Sequence, residues 1–263
     1  AGDSVGLLRV SYRFKADSGI GALSQAVNAG RGEDALGLLE REGSDDIAWL
    51  DAREDGLDPA CVDWAVERYA RYLREDDVAT ALRLFEQSRV LAALHRGPFG
   101  VDEVNRVIAA RLQTRGLVRG GEEYQGKPVM VTANDYEVGL FNGDIGLLWR
   151  DENQVLRAYF PLAENQVRSV SVRQLPQHNC AYALTVHKSQ GSEYPAVVIP
   201  LAMQHYMLLE RNLLYTAVTR GKKLVVVIGQ TKALAMAVKR LGSVKRLTNL
   251  QYRLRHSDTI GTA

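Results

Sequence analysis

Apolar residues recur at helical spacing in several segments of the first half of the chain. Ser18 stands where an N-cap would, ahead of the periodic segment IGALSQAVNAG, and Gly30 would end that helix. Residues 32–42 and 58–74 show the same spacing, with acidic loops between them. The run SRVLAAL at 88–94 predicts a buried strand, and VDEVNRVIAARL, after a GPFG turn, predicts a further helix.

The apolar period changes to two from about Tyr124. Short strands are predicted in the segments KPVMVTANDY, GLFNGDIGLLWRD, QVLRAYFP and QVRSVSVRQL. The Asn142-Gly143 pair favours a tight hairpin turn, because both residues can take a positive φ. This stretch therefore predicts a compact β insert.

Continuous apolar strands return after the insert. PAVVIPLA and LVVVIGQ alternate with the helical segments LLERNLLYTAVTRGKK and KALAMAVKR. Strands without polar alternation suit a parallel sheet that is covered by helices on both faces. The predicted fold class is therefore α/β.

The composition is that of an ordinary globular chain. Of the 263 residues, 46% are hydrophobic and 24% are charged, and the formal net charge is +2. So small a charge excludes a globally basic surface, and any contact with DNA would be a local stripe. No apolar run approaches the roughly 20 residues of a membrane-spanning helix, and the first residues lack a signal-peptide layout. We therefore expect a cytoplasmic protein with no membrane partner.

The two cysteines, Cys61 and Cys180, are far apart in the sequence. Neither belongs to a CxxC pair or a Cys/His cluster, so they predict neither a zinc site nor a disulfide framework. We expect buried free thiols and no metal site in this chain.

One segment nearly matches a phosphate-binding loop. GEEYQGKP, from Gly121 to Pro128, fits the pattern GxxxxGK[ST] except at its last position. Pro128 offers neither a hydroxyl for magnesium nor an N–H for phosphate, and the residues after it are patterned as a strand rather than a helix. Nor does an apolar strand end in Asp-Glu. The chain therefore lacks the two parts that bind and hydrolyse a nucleoside triphosphate.

Two later segments carry the most specific signal. LTVHKSQGSEYPAVVIP at 184–200 and LLYTAVTRGKK at 213–223 closely resemble motifs V and VI of superfamily 1 helicases, and especially of the RecD-like branch (exodeoxyribonuclease V alpha-subunit-like). SYRF with the downstream DSGIG resembles motif IV of that group. VMVTANDYEVGLFNGDIG resembles the stretch that opens an inserted β subdomain there. The four matches occur in the family's order and span residues 7 to about 240.

The resemblance implies a RecA-like fold, of the P-loop NTPase type, for the second motor domain of such a helicase. Domain 2A would comprise residues 1–120 and 180–263. A small SH3-like β-barrel, subdomain 2B, would interrupt it at 121–179.

Two catalytic arginines are implied, Arg13 and Arg220. In the family these side chains reach from a neighbouring domain to the charge that develops during ATP hydrolysis, a contribution of about 10³ to 10⁵ in rate in other nucleotide hydrolases. The alternatives are a surface arginine at a helix start for Arg13 and a cation complementing a helix end for Arg220. Gly221 stands where the family usually has alanine, and we expect it to loosen the helix by about 1 kcal/mol.

The resemblance also implies nucleotide-binding residues. Tyr12 would stack on the adenine, and Glu193 would accept hydrogen bonds from the ribose. Gly191 would let the backbone approach the nucleotide, and Gln190 lies between the nucleotide and DNA functions and could couple them.

A further set is implied for single-stranded DNA. Motif V offers short donors suited to a phosphodiester backbone, and turns of the insert offer polar side chains beside the aromatic residues Tyr136 and Phe141, which are candidates for base stacking. The candidates are Thr185, His187, Lys188, Ser189, Asn134, Asp135 and Asn142. The alternatives are a core histidine for His187 and plain turn chemistry for the residues of the insert.

The function that the resemblance implies is ATP-driven, 5′ to 3′ translocation on single-stranded DNA with duplex unwinding, in recombination and repair. ATP with Mg²⁺ would bind against an N-terminal RecA-like domain of the same protein, which supplies the phosphate loop and the magnesium ligands. RecB/RecC-type subunits are further candidate partners. We also consider a non-catalytic DNA-binding or docking module of helicase-derived fold, and a relaxase-linked or other superfamily 1 enzyme whose chemistry lies in an absent domain.

Overall fold

The computed structural model describes residues 14, 18–52, 57–97, 99–163, 166–201 and 209–241. The helices in this part are α1 (Gly19–Asn28), α2 (Gly32–Leu39), α3 (Pro59–Tyr72), α4 (Val78–Phe85), α5 (Val101–Thr114), α6 (Arg211–Val218) and α7 (Thr231–Lys239). The strands are β1 (Ile47–Asp51), β2 (Ser88–Ala92), β3 (Pro128–Val131), β4 (Ile145–Arg150), β5 (Leu156–Pro161), β6 (Val167–Ser171), β7 (His178–Cys180), β8 (Ala183–Thr185), β9 (Tyr194–Leu201) and β10 (Gly221–Gly229).

A five-stranded parallel sheet in the order β1-β10-β9-β2-β8 forms the centre of the fold. Successive residues of β10 point to opposite faces, so Val225 and Val227 pack with α1, α2, α6 and α7, whereas Val226 and Ile228 pack with α3, α4 and α5. The sheet is therefore covered by helices on both sides. The predicted α/β class is confirmed.

Side-chain caps explain where several helices begin. The hydroxyl of Ser18, the predicted N-cap of α1, accepts a hydrogen bond from the N–H of Gly21. Asp58 caps α3 in the same way, with Pro59 at the first helical position, and Asp77 caps α4. These caps satisfy N–H groups that the helices themselves leave without partners.

A second, antiparallel sheet has the order β6-β5-β4-β3-β7 and spans Pro128–Cys180. Its four longer strands match the four predicted segments. In the described residues β6 and β7 are the two ends of this order, so the pairings do not show the expected closed SH3-like barrel. The domain limits of 1–120, 121–179 and 180–263 stay predictions.

Buried tyrosines join the two sheets. The Tyr69 hydroxyl donates to the carbonyl of Tyr182, and the Tyr72 hydroxyl donates to the carbonyl of Gly126 at 2.7 Å. The hydroxyls of Tyr124 and Tyr182 lie 3.1 Å apart. Helix α3 therefore holds both the entry to the antiparallel sheet and the exit from it.

The helix predicted over LLERNLLYTAVTRGKK is shorter than expected, because α6 ends at Val218 and Gly221 begins β10. The expectation that Gly221 loosens a helix is wrong. A Cβ at this position would collide with a methyl group of Val225 and lie 3.2 Å from Val197 Cγ2, so close packing of strands accounts for the glycine. Arg220 correspondingly lies beyond the helix, in the connection to β10, rather than in its last turn.

The Asn142-Gly143 turn also differs in detail from the prediction. The N–H of Asp144 donates to the carbonyl of Phe141, which closes a four-residue turn. Only Gly143 has a positive φ, of 103°. The turn therefore needs one left-handed residue and not two, and Asn142 is free of backbone strain.

Among the described helices, none has the length and apolar character needed to cross a membrane.

Candidate functional site

The connection from β8 to β9, residues 186–193, contains most of the predicted motif V residues. Both strands run in the same direction, so this connection must lead from the carboxyl edge of the parallel sheet, where Thr185 ends β8, to its amino edge, where Tyr194 begins β9. Strand β2 lies between β8 and β9, and its pairing with both places Thr185 and Pro200 at the same position along the strand direction. Pro200 is six residues beyond Tyr194 in β9, so Thr185 lies roughly 20 Å along the sheet from Tyr194. One short segment thus links two edges of the sheet.

At the carboxyl edge, motif V meets the antiparallel sheet. The Lys188 ammonium donates to Asn142 Oδ1 at 2.8 Å, and the N–H of Asn142 donates to Asn134 Oδ1 at 2.9 Å. The N–H of Lys188 also donates to the Thr185 hydroxyl at 3.2 Å. The structure therefore brings four of the predicted DNA-binding residues together, from positions far apart in the sequence.

Two exposed aromatic rings lie beside this group. Tyr136 is 80% exposed and Phe141 is 46% exposed, and their ring centroids are 5.9 Å apart in an edge-to-face arrangement. Large aromatic side chains usually lose most of their exposure on folding, so this pair is available to stack on a planar ligand. We call Tyr136, Phe141, Asn142 and Lys188 the aromatic-basic surface.

Three other DNA candidates differ in their surroundings. The Asp135 carboxylate accepts from the N–H groups of Glu137 and Val138, so it stabilises the turn, as the alternative interpretation held. Ser189 is fully buried, and its hydroxyl donates to the carbonyl of Val186. The alternative of a core histidine is wrong for His187, which is exposed.

At the amino edge, the Arg220 guanidinium is half-buried and held by backbone carbonyls. Nε donates to the carbonyl of Thr216 at 3.2 Å, and Nη1 donates to the carbonyl of Ser192 at 3.1 Å. The N–H of Tyr194 in turn donates to the carbonyl of Arg220 at 2.9 Å. These bonds tie the arginine to the end of the motif V connection and leave part of the guanidinium accessible.

The predicted nucleotide residues of motif V lie next to Arg220 in the same connection. Glu193 forms an ion pair with Lys222, with Oε2 and Nζ 3.1 Å apart. Gly191 has a φ of 86° and is exposed, which fits a backbone bend that other residues rarely adopt. Gln190 is exposed and lies between the two edges. Tyr12 and Arg13 lie outside the described residues.

Nothing in the described part of the chain resembles a triphosphate-binding loop or a metal centre. Residues 121–127 form turns, and Pro128 begins β3, so no helix follows the near-match GEEYQGKP. Within the described ranges, no three His, Cys, Asp or Glu side chains are grouped closely enough to hold a metal ion.

Comparison with known proteins identifies relatives that align with most of this chain. The model of the UvrD-like helicase C-terminal domain matches residues 180–228. RecBCD enzyme subunit RecD of Haemophilus influenzae is 33% identical over 92% of this chain and 40% of its own length. The same subunit of Mycobacterium tuberculosis is 36% identical over 95% of this chain and 43% of its own length. The ATP-dependent RecD2 DNA helicase of Deinococcus radiodurans is 34% identical, covering 78% of this chain and 27% of that protein. The chain thus spans less than half the length of these relatives.

Proposed function

This chain belongs to the RecD-like superfamily 1 helicases, and from that premise we propose that it acts as the C-terminal motor portion of an ATP-dependent DNA helicase. It contributes residues to an ATP site and to a path for single-stranded DNA, and it does not turn over ATP by itself. Another domain of the parent protein supplies the phosphate loop and the magnesium ligands.

In this proposal Arg220 donates hydrogen bonds to the γ-phosphate of ATP bound to the other domain. Charge builds on that phosphate in the transition state, and a guanidinium that is already oriented stabilises it without reorganisation. The carbonyls of Thr216 and Ser192 supply this orientation. Arg13 is proposed as the second such arginine, and Tyr12 as the residue that stacks on the adenine.

Glu193 is proposed to accept a hydrogen bond from a hydroxyl of the ribose. To do so, its carboxylate would give up the exposed ion pair with Lys222. An exposed ion pair of this kind is worth only about 0 to 1 kcal/mol, so the exchange costs little. Gly191 leaves room for the nucleotide, because no atom lies within 4 Å of a Cβ built there.

The aromatic-basic surface is the proposed contact with single-stranded DNA. Lys188 would meet a phosphate, and Tyr136 and Phe141 would stack on bases. Thr185 and Asn134 would hold Lys188 and Asn142 in place, and exposed His187 would be a further donor to the backbone.

The connection 186–193 is the observation that carries the proposal. It holds Lys188 near the carboxyl edge of the sheet, and its Ser192 carbonyl accepts from Arg220 at the amino edge. A movement of Arg220 on ATP hydrolysis would therefore shift the grip on DNA through a short covalent path, with Gln190 between the two ends. The 5′ to 3′ direction and a role in recombination and repair are carried over from the family. RecB/RecC-type subunits are proposed partners because the first relatives are subunits of RecBCD enzymes.

The test is DNA-stimulated ATP hydrolysis by the full-length parent protein carrying Arg220→Ala. We expect kcat to fall by about a hundredfold or more, because a transition-state contact is lost, with the affinity for single-stranded DNA unchanged. Arg119→Ala is the matched control, since it removes an exposed arginine that has no role in the proposed site, and it should leave kcat unchanged. Equal kcat values for Arg220→Ala and wild type would return Arg220 to a structural role and favour the non-catalytic docking module.

A further inference from the structure

A cavity of about 370 Å³ opens at the amino edge of the parallel sheet, beside helix α3. Its lining includes Ser88, Ala196 and Lys223, which lie within the first three residues of β2, β9 and β10. Arg68 and Arg71 of α3 also line it. We call the group of Arg68, Arg71 and Lys223 the basic pocket. The proposed function uses none of these residues.

The charges in the basic pocket are not balanced by the residues that line it. Three of the lining side chains are cations, and none of the described lining residues is Asp or Glu. Burial, and then the nearby positive charge of Arg71, lower the pKa of Arg68, and Glu67 offsets only part of this. The positive charge of Arg71 disfavours the charged form of Arg68, and an anion in the cavity would offset this repulsion.

Arg68 is also fixed in position, because its guanidinium lies over the Trp64 ring, 3.8 Å from the centroid. An arginine held in this way loses little side-chain entropy when it binds a ligand. Arg68 and Arg71 come from helix α3 and Lys223 comes from strand β10, so a helix and a strand both contribute cations to one cavity. A tetrahedral anion with several oxygens matches such a set better than a planar carboxylate, which one arginine can satisfy alone.

We propose that the basic pocket binds a phosphate group. Two sources share this chemistry, namely a free nucleotide and the phosphodiester backbone of a nucleic acid. Both can reach the pocket, because it is open to solvent at the same edge of the sheet as Arg220 and Glu193. The inference does not depend on the helicase assignment, since a phosphate site is defined by its charges and geometry alone.

The test measures binding of three probes to this chain in a low-salt buffer without phosphate: inorganic phosphate, ADP and a short oligo(dT). Lys223→Gln and Arg71→Gln are tested separately and together. Each single change should weaken phosphate binding by about tenfold, the usual effect of losing one charge-assisted hydrogen bond. Arg119→Gln with Lys232→Gln is the matched control, which removes two exposed cations elsewhere.

Arg71→Gln could also lower stability, because Arg71 lies in the last turn of α3 and complements the helix dipole. Lys223→Gln is the second variant for this reason, since Lys223 is an exposed strand residue. Thermal melts of all variants accompany the titrations. Loss of phosphate binding in the pocket variants but not in the control supports the proposal, and a parallel loss for ADP or for oligo(dT) identifies the source. Equal affinities of pocket and control variants for all three probes would overturn it. An unchanged kcat for Arg220→Ala would contradict the proposed function and would have no bearing on phosphate binding in the basic pocket.

Discussion

Single residues at the amino edge of the parallel sheet set the geometry on which the proposed activity depends. Arg220 is held through backbone carbonyls, and the next residue, Gly221, packs against Val225 and Val197 where a side chain would not fit. The sequence identified Arg220 by its resemblance to motif VI but placed it in a helix. In the sequence the helical pattern continues through TRGKK. In the structure Gly221 pairs with Tyr194 as part of a strand, so the helix ends earlier.

Gly221→Ala tests this interpretation against the helix-based one. We expect it to lower the free energy of unfolding by about 1 to 3 kcal/mol, as overpacked core positions do. Gly37→Ala is the control, for which we expect the free energy of unfolding to change in the opposite direction. Gly37 lies within α2 and no atom is within 4 Å of an added Cβ, so alanine there should stabilise the fold by about 0.5 to 1 kcal/mol. Urea denaturation of both variants measures the two effects. Stabilisation by Gly221→Ala would contradict the strand assignment.

The two cysteines should be poor nucleophiles at neutral pH. Burial, and then the negative charge of Asp58, raise the pKa of Cys61 to about 12, and burial raises the pKa of Cys180 to about 11. Both thiols therefore stay protonated until the pH rises toward these values, and the thiolate is the reactive form. Cys61 is buried and Cys180 only half-buried, so the sequence-based prediction of buried free thiols is confirmed fully for Cys61 alone.

Alkylation by iodoacetamide checks this prediction. In the folded chain at pH 8, we expect Cys180 to react about a hundredfold and Cys61 about a thousandfold more slowly than in urea, because their pKa values are raised to about 11 and about 12. Cys180 should react faster as the pH rises toward 11, and the variant Cys61→Ala isolates its signal. Equal rates for folded and unfolded chain at pH 8 would show that neither thiol is protected.

At the scale of elements, the sequence predicted long periodic segments well and short or mixed ones poorly. Strand β2 and helix α5 appear where SRVLAAL and VDEVNRVIAARL place them. Strand β1 was missed, because IAWLD alternates little, and in the described part of the chain it pairs with β10 alone. Arg89 lies inside the apolar run of β2, where its guanidinium stacks on Phe85 at 4.1 Å, a contact that no local pattern predicts.

Contacts between elements were the least predictable part of the candidate site. Lys188 and Asn142 are 46 residues apart and were proposed separately, on motif V and on a turn, and only the fold joins them. Arg68 and Lys223 were not predicted as site residues. Arg68 belongs to no motif, Lys223 ends the motif VI segment without an assigned role, and the cavity that both line is formed partly by α3 and β10. Sequence resemblance supplied the motifs, and tertiary packing supplied their neighbours.

The aromatic-basic surface gives a prediction at this scale. Tyr136→Ala and Phe141→Ala should each weaken binding of oligo(dT) by about tenfold, because a base loses its stacking partner. Leu162→Ala is the matched control, since it also shortens an exposed apolar side chain, 50% exposed, beside the same sheet. Fluorescence anisotropy of labelled oligo(dT) measures the affinities. Losses no larger than that of Leu162→Ala would remove the rings from the DNA path.

At the scale of the whole molecule, hydrogen bonds between side chains and backbone join the two sheets. Tyrosines of α3 hold the antiparallel sheet at both its entry and its exit, and Lys188 holds one of its turns. The connection 186–193 then links that turn with Arg220. The proposed nucleic-acid contact at Lys188 and the proposed nucleotide contact at Arg220 are therefore joined by one short connection.

The central claim is that this chain completes an ATP site but does not contain one, and the ATP hydrolysis rate of the purified chain tests it most directly. The chain would be assayed with saturating single-stranded DNA, both alone and joined to the N-terminal motor half of its parent protein. We expect no turnover above background for the chain alone, and DNA-stimulated turnover for the joined protein that Arg220→Ala abolishes. Robust turnover by the chain alone would contradict the claim.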